Sequence, residues 1–260
     1  MTTEMRWNAA SAIASRLLVL DECGSTNAEL RGRVSDAEAW PHLSVLLTDT
    51  QTSGRGRLDR TWTAPAGTAL AVSVLLRELP DDAGTRGWIP LAAGVAMTDA
   101  VAARLPGHEV GLKWPNDVLV DGRKICGILA EVAGGAIIVG TGVNTAMREE
   151  QLPVPTATSF AALGVDVEID GLLADYLSGL AEIVTALTRT ADARAGGLHA
   201  AATARCLTLG QDVTVSLPGG DTLTGRAARL AADGRLVVDD GRDAHAVASG
   251  DVVHVRPGGA

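Results

Sequence analysis

Between Gly54 and Arg60 the chain reads GRGRLDR, three arginines and two glycines ahead of Trp62, in a sequence of formal net charge −9. Arg55, Arg57 and Arg60 offer planar forks of N–H donors that fit phosphate or carboxylate oxygens. Gly54 and Gly56 let the backbone approach a ligand closely. Trp62 can lay a flat face against adenine or another ring. Local positive charge in an acidic chain points to a small anionic ligand or a focused patch. A solvated basic loop or an Arg-Gly RNA patch has the same local composition. One short copy in an acidic chain speaks against the RNA reading.

Four further stretches could carry chemistry. GSTN (Gly24–Asn27) places two hydroxyls and an amide just after a strand. They could hold a small polar head group or serve as a helix cap. KWPNDV (Lys113–Val118) is too polar for a core, so Asn116 and Asp117 either stabilise a turn or hold nucleotide oxygens or a metal. RKICGILAE puts Lys124 on a strand, with Cys126 and Ile128 expected on its face. A lysine toward an apolar layer needs a counter-charge, which a ligand could supply. GTGVN (Gly140–Asn144) lacks the third glycine of a dinucleotide fingerprint. It fits a strand end where glycines admit a ligand and Asn144 reads a base or phosphate. The sequence has no GKS/GKT, HExxH or GxSxG motif, and its five histidines are scattered.

The elements that position these groups are legible in outline. Trp7, Ala10, Ile13, Leu17 and Leu18 have roughly helical spacing. RLLVL, HLSVLLTDT and TALAVSVLLRE read as strands, with a helix opening at Ser25–Asn27. Pro90 suits the first turn of a buried helix ending near Leu105. Residues 110–132 read as two strands around the Asp121-Gly122 turn, and AIIVGTGVNTA as another strand. GLLADYLSGLAEIVTALTRT has the pattern of a long amphipathic helix. Beyond Leu207, short alternating strands split by Gly, Asp and Pro mark a small β unit.

Hydrophobic residues make up 47% of the 260 positions, so the chain is globular. Aromatics reach 3%, which leaves a core of small aliphatic side chains. Cys23, Cys126 and Cys206 are odd in number and far apart, fitting a reducing compartment. With no long uninterrupted apolar run and no basic leader, the expectation is a soluble, cytoplasmic protein without a membrane partner.

Taken in order, STN, QTSGRGRLDRTW, KWPNDV, RKICGIL and GTGVN resemble the biotin–protein ligase family, over about residues 24–145. The resemblance implies an α+β fold: a mixed-sheet, class II synthetase-like catalytic domain of the biotin/lipoate ligase type (1–208), then a small SH3-like β-barrel (209–260). It implies two steps, formation of biotinyl-adenylate from biotin and ATP, then transfer to a lysine of a biotin carboxyl carrier domain, as in acetyl-CoA carboxylase.

By this resemblance, Ser25, Thr26, Asn27 and Gln51 line the biotin site. Arg55, Gly56 and Arg57 close over biotin and the adenylate phosphate. Lys124 bonds the biotin carboxylate, and Gly127 leaves it room. Lys124, Arg57 and Arg55 are the expected catalytic cations. Arg60, Trp62, Lys113, Asn116, Asp117 and Asn144 fall on the ATP side, with Asp117 facing Mg2+. Residues 148–160 correspond to the family's mobile cover over adenine. Asp59 stands where the family usually has glycine, so it could pair with a neighbouring arginine and alter loop closure. About 23 residues precede STN, too few for the DNA-binding domain many relatives carry, so no operator binding is expected. The alternatives are a lipoate–protein ligase and a non-enzymatic biotin- or nucleotide-sensing module.

Overall fold

The computed structural model describes residues 7–58, 60–217, 220–248 and 250–254, so Asp59 lies outside the described residues. In chain order the helices are α1 (Asn8–Ile13), α2 (Thr26–Arg31), α3 (Ala83–Arg86), α4 (Ile89–Ala102), α5 (Ile169–Thr190) and α6 (Leu198–Arg205). The strands of the larger unit are β1 (Arg16–Val19), β2 (Ser44–Thr48), β3 (Gly54–Arg55), β4 (Thr61–Trp62), β5 (Ala69–Leu76), β6 (Val110–Lys113), β7 (Asp117–Val120), β8 (Arg123–Ala133) and β9 (Ala136–Asn144). Five more strands follow: β10 (Asp212–Ser216), β11 (Thr222–Leu230), β12 (Leu236–Asp239), β13 (Ala244–Val247) and β14 (Asp251–His254).

Seven strands form a mixed sheet in the order β1-β2-β5-β9-β8-β7-β6, and only the β1–β2 pair is parallel. Every residue of β2 and β5 is buried, as continuous apolar runs require when both sheet faces are covered. Helix α4 is wedged between the sheet, α5 and α6, so it has almost no polar face. Its Gly94 lies against Leu112, and its Ala96 against Gly179 of α5; these small residues permit the close approach. Helix α5 keeps the expected amphipathic stripe, with Leu173, Leu177, Leu180, Val184 and Leu187 buried.

Two local expectations are corrected. The first helix stops at Ile13 and does not extend to Leu17 and Leu18, which pair with Val45 and Leu46 in β1–β2, as the strand reading of RLLVL expects. A six-residue helix cannot hold itself together. The carboxylate of Asp170 caps this one, accepting from Ala9 N–H (2.8 Å) and Ala10 N–H (2.9 Å). Residues 110–132 form three strands rather than two, because Lys113–Asp117 is itself a reversal between β6 and β7. The Asp121-Gly122 turn is as expected, with both φ angles positive (48° and 75°).

The C-terminal strands form an antiparallel sheet in the order β13-β12-β11-β10-β14. Its Val213, Val215, Leu230, Leu236 and Val252 join one continuous core with Trp88, Leu91 and Trp114 of the larger unit. Both indoles end on C-terminal carbonyls: Trp88 Nε1 donates to Ala232 O (2.9 Å) and Trp114 Nε1 to Gly234 O (3.0 Å). Trp88 is 1% exposed, so Trp88→Ala is expected to cost about 3–5 kcal/mol, read as a lower urea midpoint.

Candidate active site

The glycines of two neighbouring strands make a floor. Gly127 of β8 and Gly142 of β9 stand directly opposite each other. A Cβ on Gly142 would sit 2.7 Å from the Trp62 indole, and one on Gly127 would sit 2.9 Å from Lys124 Nζ. Side chains from elsewhere therefore occupy the space these residues leave open. Above this floor lies a cavity of about 170 Å³.

The first turn of α2 forms one wall. Ser25 is the N-cap, accepting a long bond from Ala28 N–H (3.5 Å), and the buried Thr26 and Asn27 follow it. The cap reading holds, and the cap residue also lines the cavity. Gln51 stands beside them, its Oε1 accepting from Thr26 N–H (2.8 Å).

The basic loop is a hairpin, β3 pairing with β4 through Gly54↔Trp62 and Arg55↔Thr61. Arg55 pairs with Glu131 (3.2 Å) and Arg60 with Asp251 of β14 (2.5 Å). Through its hydrogen bond and charge, Arg60 holds the Asp251 carboxyl below its usual range, with Lys113 and Arg57 adding to the effect. Arg57 donates to Asn116 Oδ1 (2.9 Å) and Gly250 O (3.3 Å), both neutral oxygens. Its burial lowers the pKa of the guanidinium, while the nearby charges of Asp117 and Asp251 work in the opposite direction.

Lys124 reaches the cavity through a β-bulge. Leu119 pairs with Lys124 and Val118 with Cys126, leaving Ile125 as the extra residue. The bulge overturns the expected alternation: Lys124 lies over Gly127, while Cys126 and Ile128 face the core. The Lys124 ammonium is 2.7 Å from Asp117 Oδ1. Burial pushes the Cys126 thiol up to about 12, and with it the Cys23 thiol up to about 11, so neither is a nucleophile at neutral pH.

Of the expected residues, Ser25, Thr26, Asn27, Gln51, Arg55, Gly56, Arg57, Arg60, Trp62, Asn116, Asp117, Lys124 and Gly127 line this one cavity. Lys113 and Asn144 do not. Asn144 is buried, and its Nδ2 donates to Thr158 O (2.8 Å). That bond fastens residues 148–160, which run along Lys124 instead of lining the cavity. Lys124 N–H donates to Thr156 O (2.7 Å), and its carbonyl accepts from Thr158 N–H (2.8 Å). The segment thus fixes the Lys124 backbone.

Asp251 also lines the cavity, and sequence reasoning missed it because it comes from the far end of the chain. No group of three His, Cys, Asp or Glu capable of holding a metal occurs among the described residues. Asp117 and Asp251 are each engaged by a cation.

A mixed sheet with a glycine floor, a polar head pocket and a cationic hairpin defines the class of biotin and lipoate ligases. The Biotin/lipoate A/B protein ligase family is matched over residues 25–145, and the Biotin protein ligase C terminal domain over 208–255. A biotin--[acetyl-CoA-carboxylase] ligase of Mycobacterium tuberculosis is 40% identical over 243 residues, 93% of this chain and 90% of that relative. The chain belongs to the biotin protein ligase family and is a ligase. Among solved structures, the biotin protein ligase from Aquifex aeolicus in complex with biotin and ATP superposes with a TM-score of 0.75 at 26% identity, covering 94% of this chain and all of that one (100%). The Leishmania major biotin protein ligase in complex with biotinyl-5-AMP has a TM-score of 0.62 at 25% identity, covering 94% of this chain and 99% of its own.

Proposed function

We propose that this cavity joins biotin to ATP and passes the biotinyl group to a lysine of a carboxylase carrier domain. Arg57 is the observation that carries the reading: a half-buried guanidinium at the cavity, hydrogen-bonded only to neutral oxygens among the described residues. Such a group gains most from an anion arriving beside it.

In the first step a biotin carboxylate oxygen attacks the α-phosphorus, the bond to the bridging oxygen breaks, and pyrophosphate leaves. Negative charge gathers on the α-phosphate and the departing group. Lys124, Arg57 and Arg55, which line the cavity, would stabilise it, and one such aimed donor is worth about 3 kcal/mol. Holding the two substrates in line contributes on the order of 7 kcal/mol at best. In the second step the carrier amine attacks the acyl carbon, AMP leaves, and the amine proton passes to solvent. The hairpin that covers the cavity also keeps water from the mixed anhydride.

Asn116, Asp117, Arg60 and Trp62 form the nucleotide side in this reading. The residues fit a Mg2+ carried by the nucleotide phosphates rather than an ion caged by protein, and Asp117 would be the carboxylate to hold it there. Lys113 and Asn144 would act from behind the site: Lys113 through its charge on Asp251, and Asn144 through the segment that holds Lys124. We place the reaction in the cytoplasm, where the three unpaired, buried thiols stay reduced.

Hydroxyls and amides at the head of the cavity favour a cyclic urea over the dithiolane of lipoate. The test is intact-mass analysis of a carboxylase carrier domain after incubation with the chain, ATP, Mg2+ and either acid. One biotinyl group on a single lysine is expected. Transfer of lipoate in preference to biotin, or of neither, would overturn the proposal. Gly140→Ala bears on the same head pocket, because the added Cβ would sit 2.4 Å from Asn27 Oδ1. It is expected to raise the biotin Kd at least tenfold with little change in ATP binding, as read by calorimetry.

A further inference from the structure

Beneath the head pocket lies a hydrogen-bond chain whose direction can be worked out. Asn27 Nδ2 is 2.7 Å from Glu131 Oε2 and 3.3 Å from Leu129 O. A backbone carbonyl only accepts, and so does a carboxylate held between Arg31 (2.9 Å) and Arg55 (3.2 Å). The Asn27 amide is therefore fixed with both N–H groups spent on protein. Its Oδ1 lies 2.6 Å from Ser73 Oγ, so the single Ser73 proton goes to Asn27.

Ser73 Oγ is also 2.8 Å from Thr26 Oγ1, and two hydroxyl oxygens that close need a proton between them. With the Ser73 proton committed, Thr26 must supply it. Its contact to Gln51 Oε1 is longer (3.2 Å), and that oxygen already accepts from Thr26 N–H. Thr26 Oγ1 and Asn27 Oδ1 are left with only lone pairs to offer. Gln51, its Oε1 occupied, is left with its NH2 group to donate.

We propose that Ser73 and Glu131 are positioning residues that set this polarity, making Thr26 and Asn27 acceptors for ring N–H groups of the ligand. This deepens the biotin reading and rests on it. Glu131 locks the amide of Asn27, and Ser73 locks the hydroxyl of Thr26. Neither has to touch the ligand. Ser73 is fully buried in the middle of β5, where a hydroxyl survives only if its partners satisfy it.

The decisive measurement is a ratio: the Kd for a biotin analogue methylated on a ring nitrogen over the Kd for biotin, taken by calorimetry on the full chain. In Ser73→Ala the Thr26 proton is released, and Thr26 can turn donor. In Glu131→Gln the side-chain amide can donate, and Asn27 is free to turn over. Each variant is expected to weaken biotin about tenfold and to shrink the ratio by a similar factor. A purely structural role would weaken both ligands equally. Glu131→Gln keeps the shape of the side chain and serves as the test should Ser73→Ala fail to fold. Biotin binding by the parent chain, with the ratio unchanged in the variants, overturns the relay alone. No biotin binding by the parent chain removes the ligand reading and the relay with it.

Discussion

Replacing Lys124 with alanine is expected to lower biotin-dependent exchange of pyrophosphate into ATP by about 10²–10³-fold, with the fold intact. The ammonium lies over Gly127, where the floor has no side chain of its own. Its backbone is clamped on both sides by Thr156 and Thr158, so the group is aimed before any ligand arrives. Its present partner is Asp117 at 2.7 Å. Alanine removes the donor and leaves that carboxylate, itself partly buried, facing the anionic substrates. The loss should therefore exceed that of a cation alone. Lys124→Arg is expected to recover little, because a broad guanidinium does not fit the space above Gly127. Exchange within tenfold of the parent rate would remove Lys124 from the chemistry.

Arg57→Gly is expected to shift labelling from the carrier domain to bystander protein. Arg57 ties the hairpin to Asn116 in the larger unit and to Gly250 beside β14. Two hydrogen bonds to a charged group, at about 1.5 kcal/mol each, correspond to about a hundredfold in the closed population of the loop. Glycine removes both ties and loosens the backbone at the same point. The mixed anhydride then leaves before the carrier arrives. The chain has only two lysines, Lys113 and Lys124, so it offers few targets of its own. An added lysine-rich protein must report the escape. The quantity to measure is biotin on that protein relative to biotin on the carrier, and an unchanged ratio would show that Arg57 does not hold the loop.

The cavity was largely legible because its chemistry is carried by short contiguous stretches. Ser25–Asn27 and Arg55–Trp62 each deliver neighbours in sequence to one wall, and β-strand alternation does little to scramble a turn or a hairpin tip. Lys124 was found by type but placed wrongly by parity. A single extra residue at Ile125 reverses which neighbours share its face, and nothing in ICGIL announces a bulge. Leu17 and Leu18 fit both a helical spacing and the strand read in RLLVL, and only pairing with β2, some 28 residues on, decides for the strand. Ser73 and Glu131 were missed for a related reason. Both read as ordinary strand positions, and they matter only because the order β5-β9-β8 brings them beneath α2. Asp251 has no local signature at all. It becomes part of the site when β14 folds back against the hairpin.

The two indole N–H groups that end on Ala232 and Gly234 have a consequence for how this molecule can be taken apart. Since Trp88 and Trp114 are buried in the seam, the C-terminal strands are not a cassette hung on a linker. A protease cut near residue 209 should leave two pieces that cling together. A gene truncated there should yield a chain with an open, water-wetted flank, not a smaller working enzyme. Modularity in this protein belongs to its sequence, where two segments can be told apart, and stops at its interior, which is one body.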